Sequence, residues 1–300
     1  MTRGGMLALG GMSQQEFLAQ YIPAAEKLQR VYSQMTLEVS VTRSDLERKN
    51  SSAEQQRVVV HTDGDKLRID SFLPNGPGRE QVRVAVVSSE SSFSARRPAD
   101  QENFVLSRLS SDTFRDRSIL RSRHYYVFAP FCENGGITLL EKIRSSNFRI
   151  TSIEEEERNG EELVKVAYER EVRFNDRSAT YSGYDVFSKT MCWALRESLA
   201  GNLHGRIEYD GMIDGVPLLK SAEYWRQKGD ERVNIVRCDV TKIEPSTPSP
   251  DVFQLATLVG DVRQERKSWL WLLLIIGGIV LVAIGVVLAR VAMHRRAVAS

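Results

Sequence analysis

Histidine and cysteine, the residues behind most metal sites and many nucleophilic active sites, are scarce in this chain: four and three among 300 residues. His61, His124, His204 and His294 are scattered, and Cys132, Cys192 and Cys238 show no C-x-x-C spacing. An odd count without that spacing excludes a disulfide framework or a zinc ribbon; it reads as buried thiols, with one disulfide at most. Also missing are G-x-S-x-G, H-E-x-x-H, G-x-x-x-x-G-K-[ST] and G-x-G-x-x-G. Their absence removes the common hydrolase, metalloprotease and nucleotide-binding signatures. A surplus of one charge is lacking too: 41 basic against 39 acidic residues leave +2, with no basic face of the kind nucleic-acid binders carry. The chain reads as a non-enzyme with no cofactor, no metal and no nucleic-acid partner.

What the sequence does have is one long apolar run. Trp269 to Ala289 is 21 residues without a charge, fourteen of them Leu, Ile or Val. At 1.5 Å per residue such a helix spans about 30 Å, the hydrocarbon thickness of a bilayer. Trp269 and Trp271 stand at one end, where indole rings favour the headgroup level, and Arg290, Arg295 and Arg296 at the other. The run therefore predicts a single transmembrane helix. Gly278, Gly285 and Ala289 form a small-residue stripe, a face on which a second copy could pack closely.

Orientation is less well marked. Arg263, Arg266 and Lys267 before the span balance the three arginines after it. Residues 1 to 12 carry one basic residue and a weakly apolar stretch, read as a leader or the remnant of a signal. That favours an extracytoplasmic bulk domain; the alternative is a tail-anchored scaffold or signalling domain facing the cytosol and recruiting partners to the membrane.

Between leader and span the chain divides into a domain, residues 13 to 243, and a proline-containing linker, residues 244 to 268, followed after the span by a basic tail, residues 290 to 300. Ser13 and Glu16 make a capping box ahead of a helix with Phe17, Tyr21, Leu28, Tyr32 and Met35 on one face. From Met35 the apolar period becomes two. Hairpin turns are expected at Asp63-Gly64, Asn159-Gly160, Asp210-Gly211, Asp214-Gly215 and Gly229-Asp230. Ala99 to Asn147 reads instead as short helical or irregular pieces, with Thr138 and Glu141 a second capping box. The class is α+β: an antiparallel meander with packed helices. Val252, Phe253 and Leu255 give the linker apolar side chains able to dock on the domain.

An opening amphipathic helix, a meander, a helical insert, then "RIEYDGMIDGVPLLKSAEYW" (206–225) and "SPDVFQL" (249–255) resembles the LolA-like family of outer-membrane lipoprotein carriers and envelope relatives. The resemblance covers roughly residues 16 to 255. It implies a curved, half-barrel-like sheet around an apolar cavity plugged by helices, and binding of acyl chains or an envelope protein partner. The carriers themselves are soluble shuttles, so a tethered chain departs from that pattern. Inward strand positions that would line the cavity are Val58, Val60, Leu67, Ile69, Val164, Val166, Tyr168, Val236 and Val240. The same residues would equally make a packed core.

Four further patterns read as ordinary structure. His61, Asp63 and Asp65 flank a turn, and Glu154 to Glu157 alternate across a solvated edge strand. Cys132 has no basic neighbour in sequence to activate its thiol. Arg115 to Tyr126 is a basic, loosely amphipathic stretch. It could touch anionic headgroups, or it could be a solvated helix with Ile119, Leu120 and Tyr125 turned inward.

Overall fold

The computed structural model describes residues 7–9, 11–44, 53–132, 136–174, 177–258 and 263–264. Contacts divide the chain into two units, Met1–Val262 and Arg263–Ser300. Of the second, only a short extended piece, Arg263–Gln264, is described. Among the described residues no helix is long and apolar enough to cross a membrane. The run from Trp269 to Ala289, with Trp271, Gly278 and Gly285, lies outside the described residues, as does the basic tail.

The first unit begins with a short strand β1 (Leu7–Leu9) and helix α1 (Gln14–Tyr32). Ser13 caps α1 as its sequence predicts: the Ser13 hydroxyl accepts from the Glu16 amide, and the Glu16 carboxylate accepts from the Ser13 amide. A first meander follows, with β2 (Thr36–Ser44), β3 (Glu54–Asp63), β4 (Lys66–Pro74), β5 (Glu80–Val87), β6 (Ser92–Arg97) and β7 (Val105–Ser110). The chain then crosses through α2 (Thr113–Arg123), a 3-10 turn (Tyr125–Phe128) and α3 (Leu139–Ile143). The second meander comprises β8 (Phe148–Arg158), β9 (Glu161–Phe174), β10 (Arg177–Ser188), β11 (Ala194–Ala200), β12 (Leu203–Ile213), β13 (Val216–Lys228) and β14 (Glu231–Glu244). A last 3-10 turn, Pro250–Phe253, precedes α4 (Leu255–Leu258).

All strands of this unit join one antiparallel sheet, in the order β1-β8-β9-β10-β11-β12-β13-β14-β2-β3-β4-β5-β6-β7. The two meanders meet where β14 pairs with β2, Val240 opposite Val39. One face of the sheet buries Leu37, Val39, Val41, Val58, Val60, Leu67, Ile69, Val164, Val166, Ile207 and Cys238 in one cluster with Phe17, Tyr21, Leu28 and Tyr32 of α1. We call this the inner face. Its alternation is what the sequence predicts: successive side chains in a strand point to opposite faces, so a period of two puts every second residue inside.

The opposite face is capped separately. Val82, Val84 and Val86 of β5 point outward and bury with Phe93 under Phe253. Arg68 fastens the cap, donating to the Val252 carbonyl at 2.7 Å while its guanidinium forks onto Asp70. The docking expected of Val252, Phe253 and Leu255 is thus seen.

Several turns and strands differ from expectation. The β3–β4 turn is Gly64-Asp65, since Asp63 still pairs with Lys66. Asp210-Gly211 makes no turn; it is a bulge inside β12, between Tyr209 and Met212. Asn159-Gly160 and Asp214-Gly215 do turn as expected, both residues of each pair at positive φ, as the tight two-residue hairpin requires. β7 and β10 were not read from the sequence. Nor is the acidic strand β8 an edge: Leu7–Leu9 pairs with Glu155, Glu156 and Glu157.

Candidate functional site

The inner face is covered by helices and turns. α1 enters with a stack of aromatics: Phe17 lies 5.2 Å from Tyr21, and both rings pack on Phe187 of β10 and on Trp193. At the helix's other end the Tyr32 hydroxyl is held by β13 backbone. The rest of the cover is the segment between β7 and β8. Its 3-10 turn buries Tyr126, Val127 and Phe128, and α3 buries Leu139 and Leu140.

The residues expected to line a cavity lie on this face. Val58, Val60, Leu67, Ile69, Val164 and Val166 belong to the buried cluster that packs against α1 and the crossing segment, and Val236 and Val240 are partly buried against it. Tyr168 is also buried, beneath α3. Among the described residues, open clefts lie around this core. One, of about 330 Å³, sits between the end of α1, the β3–β4 turn and α3. Its floor is Tyr32, Leu67, Phe128, Phe131 and Leu140, and cations including Lys66, Arg117, Arg121 and Arg144 surround it. A second, of about 640 Å³, lies over β3 to β6 beside the end of α2. The third, of about 360 Å³, is lined mainly by charged groups of β8, β11 and β12.

Under α3 lies an ionisable pair that the sequence did not reveal. Asp185 is fully buried on β10, directly opposite Val166 on the inner face. Neither of its carboxylate oxygens accepts a hydrogen bond among the described residues. Burial raises its pKa, an effect opposed by the Lys142 ammonium. Lys142, on α3, is itself buried; desolvation lowers its pKa and Asp185 pulls the other way. Its amine donates to the Tyr168 hydroxyl at 3.2 Å and lies 4.3 Å above that ring. The Lys142–Tyr168 hydrogen bond ties α3 to the sheet. Neither residue lines any of the three clefts.

Cys132 has the basic neighbour that the sequence lacks locally. Arg121, one strand-free excursion earlier on α2, donates to its sulfur at 3.3 Å. Burial outweighs the cation, however, and pushes the thiol up to about 11, so the nucleophilic thiolate is suppressed at neutral pH. Cys238 is likewise buried, Cys192 only partly, and all three are free. His61, Asp63 and Asp65 do not converge: His61 Nδ1 bonds to the Thr36 hydroxyl at 3.0 Å and Asp63 pairs with Lys66. Among the described residues no His, Cys, Asp and Glu group could hold a metal ion. In the basic stretch, Ile119, Leu120 and Tyr125 are partly buried, and the only fully buried α2 side chain is Asp116.

The structure is similar to that of a LolA superfamily protein from Nitrosomonas europaea, matching 80% of this chain and 99% of that chain at 12% identity with a TM-score of 0.47. It is also similar to a DUF1329 family protein from Desulfovibrio piger, over 80% of this chain and 98% of that one at 10% identity and a TM-score of 0.45. No protein-family model and no curated protein matches the chain.

Proposed function

We propose that the chain is a non-enzymatic, single-pass membrane protein of the cell envelope. In this reading its large domain is extracytoplasmic and takes a hydrophobic ligand, or an apolar segment of a partner protein, between the sheet and its helical cover. The observation that carries the reading is how the inner face is covered. An aliphatic sheet surface is closed by one amphipathic helix and a crossing segment, with an apolar-floored cleft of about 330 Å³ at their junction. Ligand pockets commonly run from about 300 to 1,000 Å³ and combine such a floor with a few polar groups at the rim.

A half-barrel curvature suits this reading. β3 and β9 are seven places apart in the strand order, about 34 Å across a flat sheet at roughly 4.8 Å per strand. Yet Val58, Val60, Val164 and Val166 share one buried cluster with a single helix. The anchor in this proposal is the uncharged run from Trp269 to Ala289, whose small-residue face at Gly278 and Gly285 would pack against a second copy.

Two measurements test it. The full chain, purified in a mild neutral detergent, is extracted with organic solvent and titrated with a fluorescent fatty acid. Bound lipid, and a fluorescence shift weakened by Phe131→Arg, support the reading; repeated recovery of no lipid with no shift overturns it. Alkaline carbonate must leave the chain in isolated membranes, and reporters on both ends must place the amino terminus outside the cytosol.

A further inference from the structure

The large cleft over β3 to β6 is chemically unlike the rest of the inner face. Cross-strand register fixes this. Val60, Ile69 and Ala85 share the inner face, as do Val58, Ser71, Arg83 and Arg96 one step along. Within β5 the inward residues run Val87, Ala85, Arg83, Gln81, so the wall changes from aliphatic to cationic along one strand. Arg43 of β2 and Arg123 of α2 complete the lining.

Four arginines therefore converge on a concavity of about 640 Å³, and the one carboxylate among its lining residues is Glu54. Glu54 stands opposite Arg43 in the β2–β3 ladder. Arg83 and Arg96 are directly opposite each other. Like charges at directly opposed positions destabilise a sheet by a few tenths of a kcal/mol or more, and one anion can bridge two guanidinium groups. Guanidinium forks match phosphate oxygens in pairs, and Ser71, Ser94, Ser107 and Gln56 add uncharged donors to the same lining. Ile69 and Leu120 border it with apolar surface. His124, at the roof, is kept neutral first by burial and then by the field of Arg43 and Arg123.

The geometry points to a binding site for a phosphate group, carried by a lipid headgroup or by a soluble phosphate ester, held among Arg43, Arg83, Arg96 and Arg123. This goes beyond the hydrophobic-ligand reading and does not require it, since the cationic cleft is separate from the apolar-floored one.

The test uses the full chain in neutral detergent and calorimetric titration with four probes: short-chain phosphatidic acid, short-chain phosphatidylcholine, inorganic pyrophosphate and an uncharged monoacylglycerol. Phosphatidic acid should bind more tightly than phosphatidylcholine by tenfold or more, with an affinity that falls as salt rises. Arg83→Glu, which places a carboxylate opposite Arg96, should lower that affinity at least tenfold while keeping or raising the melting temperature, so lost binding is not lost folding. Binding of phosphatidic acid alone identifies a lipid headgroup; equal binding of pyrophosphate identifies phosphate from soluble sources. The proposal is overturned if neither phosphatidic acid nor pyrophosphate binds, or if Arg83→Glu leaves their binding unchanged. The monoacylglycerol reports on the hydrophobic-ligand reading: its binding should survive Arg83→Glu.

Discussion

The hydroxyl of Tyr32 bridges two backbone groups of β13, donating to the Pro217 carbonyl at 3.1 Å and accepting from the Leu219 amide at 2.7 Å. Tyr32 and Leu219 are both buried, so the last turn of α1 satisfies a donor and an acceptor that water cannot reach. On the other side the β13–β14 ladder begins only at Ser221, opposite Asp239, so Pro217 and Leu219 lie beyond its end. Tyr32→Phe should cost about 1 to 3 kcal/mol, the penalty for stranding buried polar groups. Chemical denaturation of the variant checks this; a midpoint equal to wild type would mean that water or the sheet replaces the hydroxyl.

Gly183 faces Tyr168 across β9–β10, and Gly205 faces Tyr224 across β12–β13. In each pair the tyrosine lies over the glycine: a Cβ on Gly183 would meet first the Leu199 backbone carbonyl and then the Tyr168 hydroxyl oxygen at 2.7 Å, and one on Gly205 the Ser198 hydroxyl at 2.5 Å and the Tyr224 ring at 2.7 Å. Alanine at either position should cost about 1 to 3 kcal/mol, through forced displacement of the neighbouring strand's backbone at Gly183 and of packed side chains at Gly205, and valine more. Thermal melting of the single variants provides the measurement.

His124 supplies a pH dependence whose sign is fixed. Burial, then Arg43 and Arg123, lower its pKa from 6.5 to about 4, and its Nδ1 contacts the Tyr126 hydroxyl at 2.9 Å. Below pH 6.5 the unfolded chain takes up a proton that the folded chain refuses until about pH 4. The unfolded state is therefore favoured as pH falls through that window, and the full stability is present above it. His124→Gln should flatten the wild-type stability curve between those limits by about 1 to 3 kcal/mol. Parallel denaturation curves at each pH give the difference; identical slopes would contradict it.

Cys132 should resist thiol reagents in the native state at neutral pH and react only as the chain unfolds. Its pKa is pushed up to about 11 by burial even with Arg121 in contact. Cys192, partly buried, should be modified first. Mass spectrometry after brief alkylation distinguishes them, and early labelling of Cys132 would show that the cover over it opens readily.

Much of the fold was legible because local rules decided it. Ser13 with Glu16 and Thr138 with Glu141 are both capping boxes in the structure, each a reciprocal pair within one turn. Asn159-Gly160 turned where expected, but Asp210-Gly211 bulged, because a positive-φ glycine serves either geometry and only the partner strand decides. β10 escaped notice because Gly183 and the buried Asp185 occupy inward positions where an apolar residue would have completed the alternation. The clusters that matter chemically were the least visible. Arg43, Arg83, Arg96 and Arg123 come from four elements and meet only through sheet register, and Lys142 reaches Tyr168 from a helix that precedes it by two strands' pairing. Register of that kind is settled by long-range contacts, which no short window of sequence contains.

Residues 111 to 147 run from β7, near one margin of the sheet, to β8, near the other. Before that crossing come β1, α1 and the meander β2 to β7; after it come β8 to β14, the Pro250–Phe253 turn and α4. The halves are joined by the β14–β2 ladder, by the β1–β8 pairing, by Phe253 on β5 and by the seating of α1 against Phe187 and Trp193, none of which needs the peptide chain to be continuous there. A break within the crossing would yield two polypeptides, each completing the other's buried surface, so the molecule is organised for reconstitution from separately made pieces.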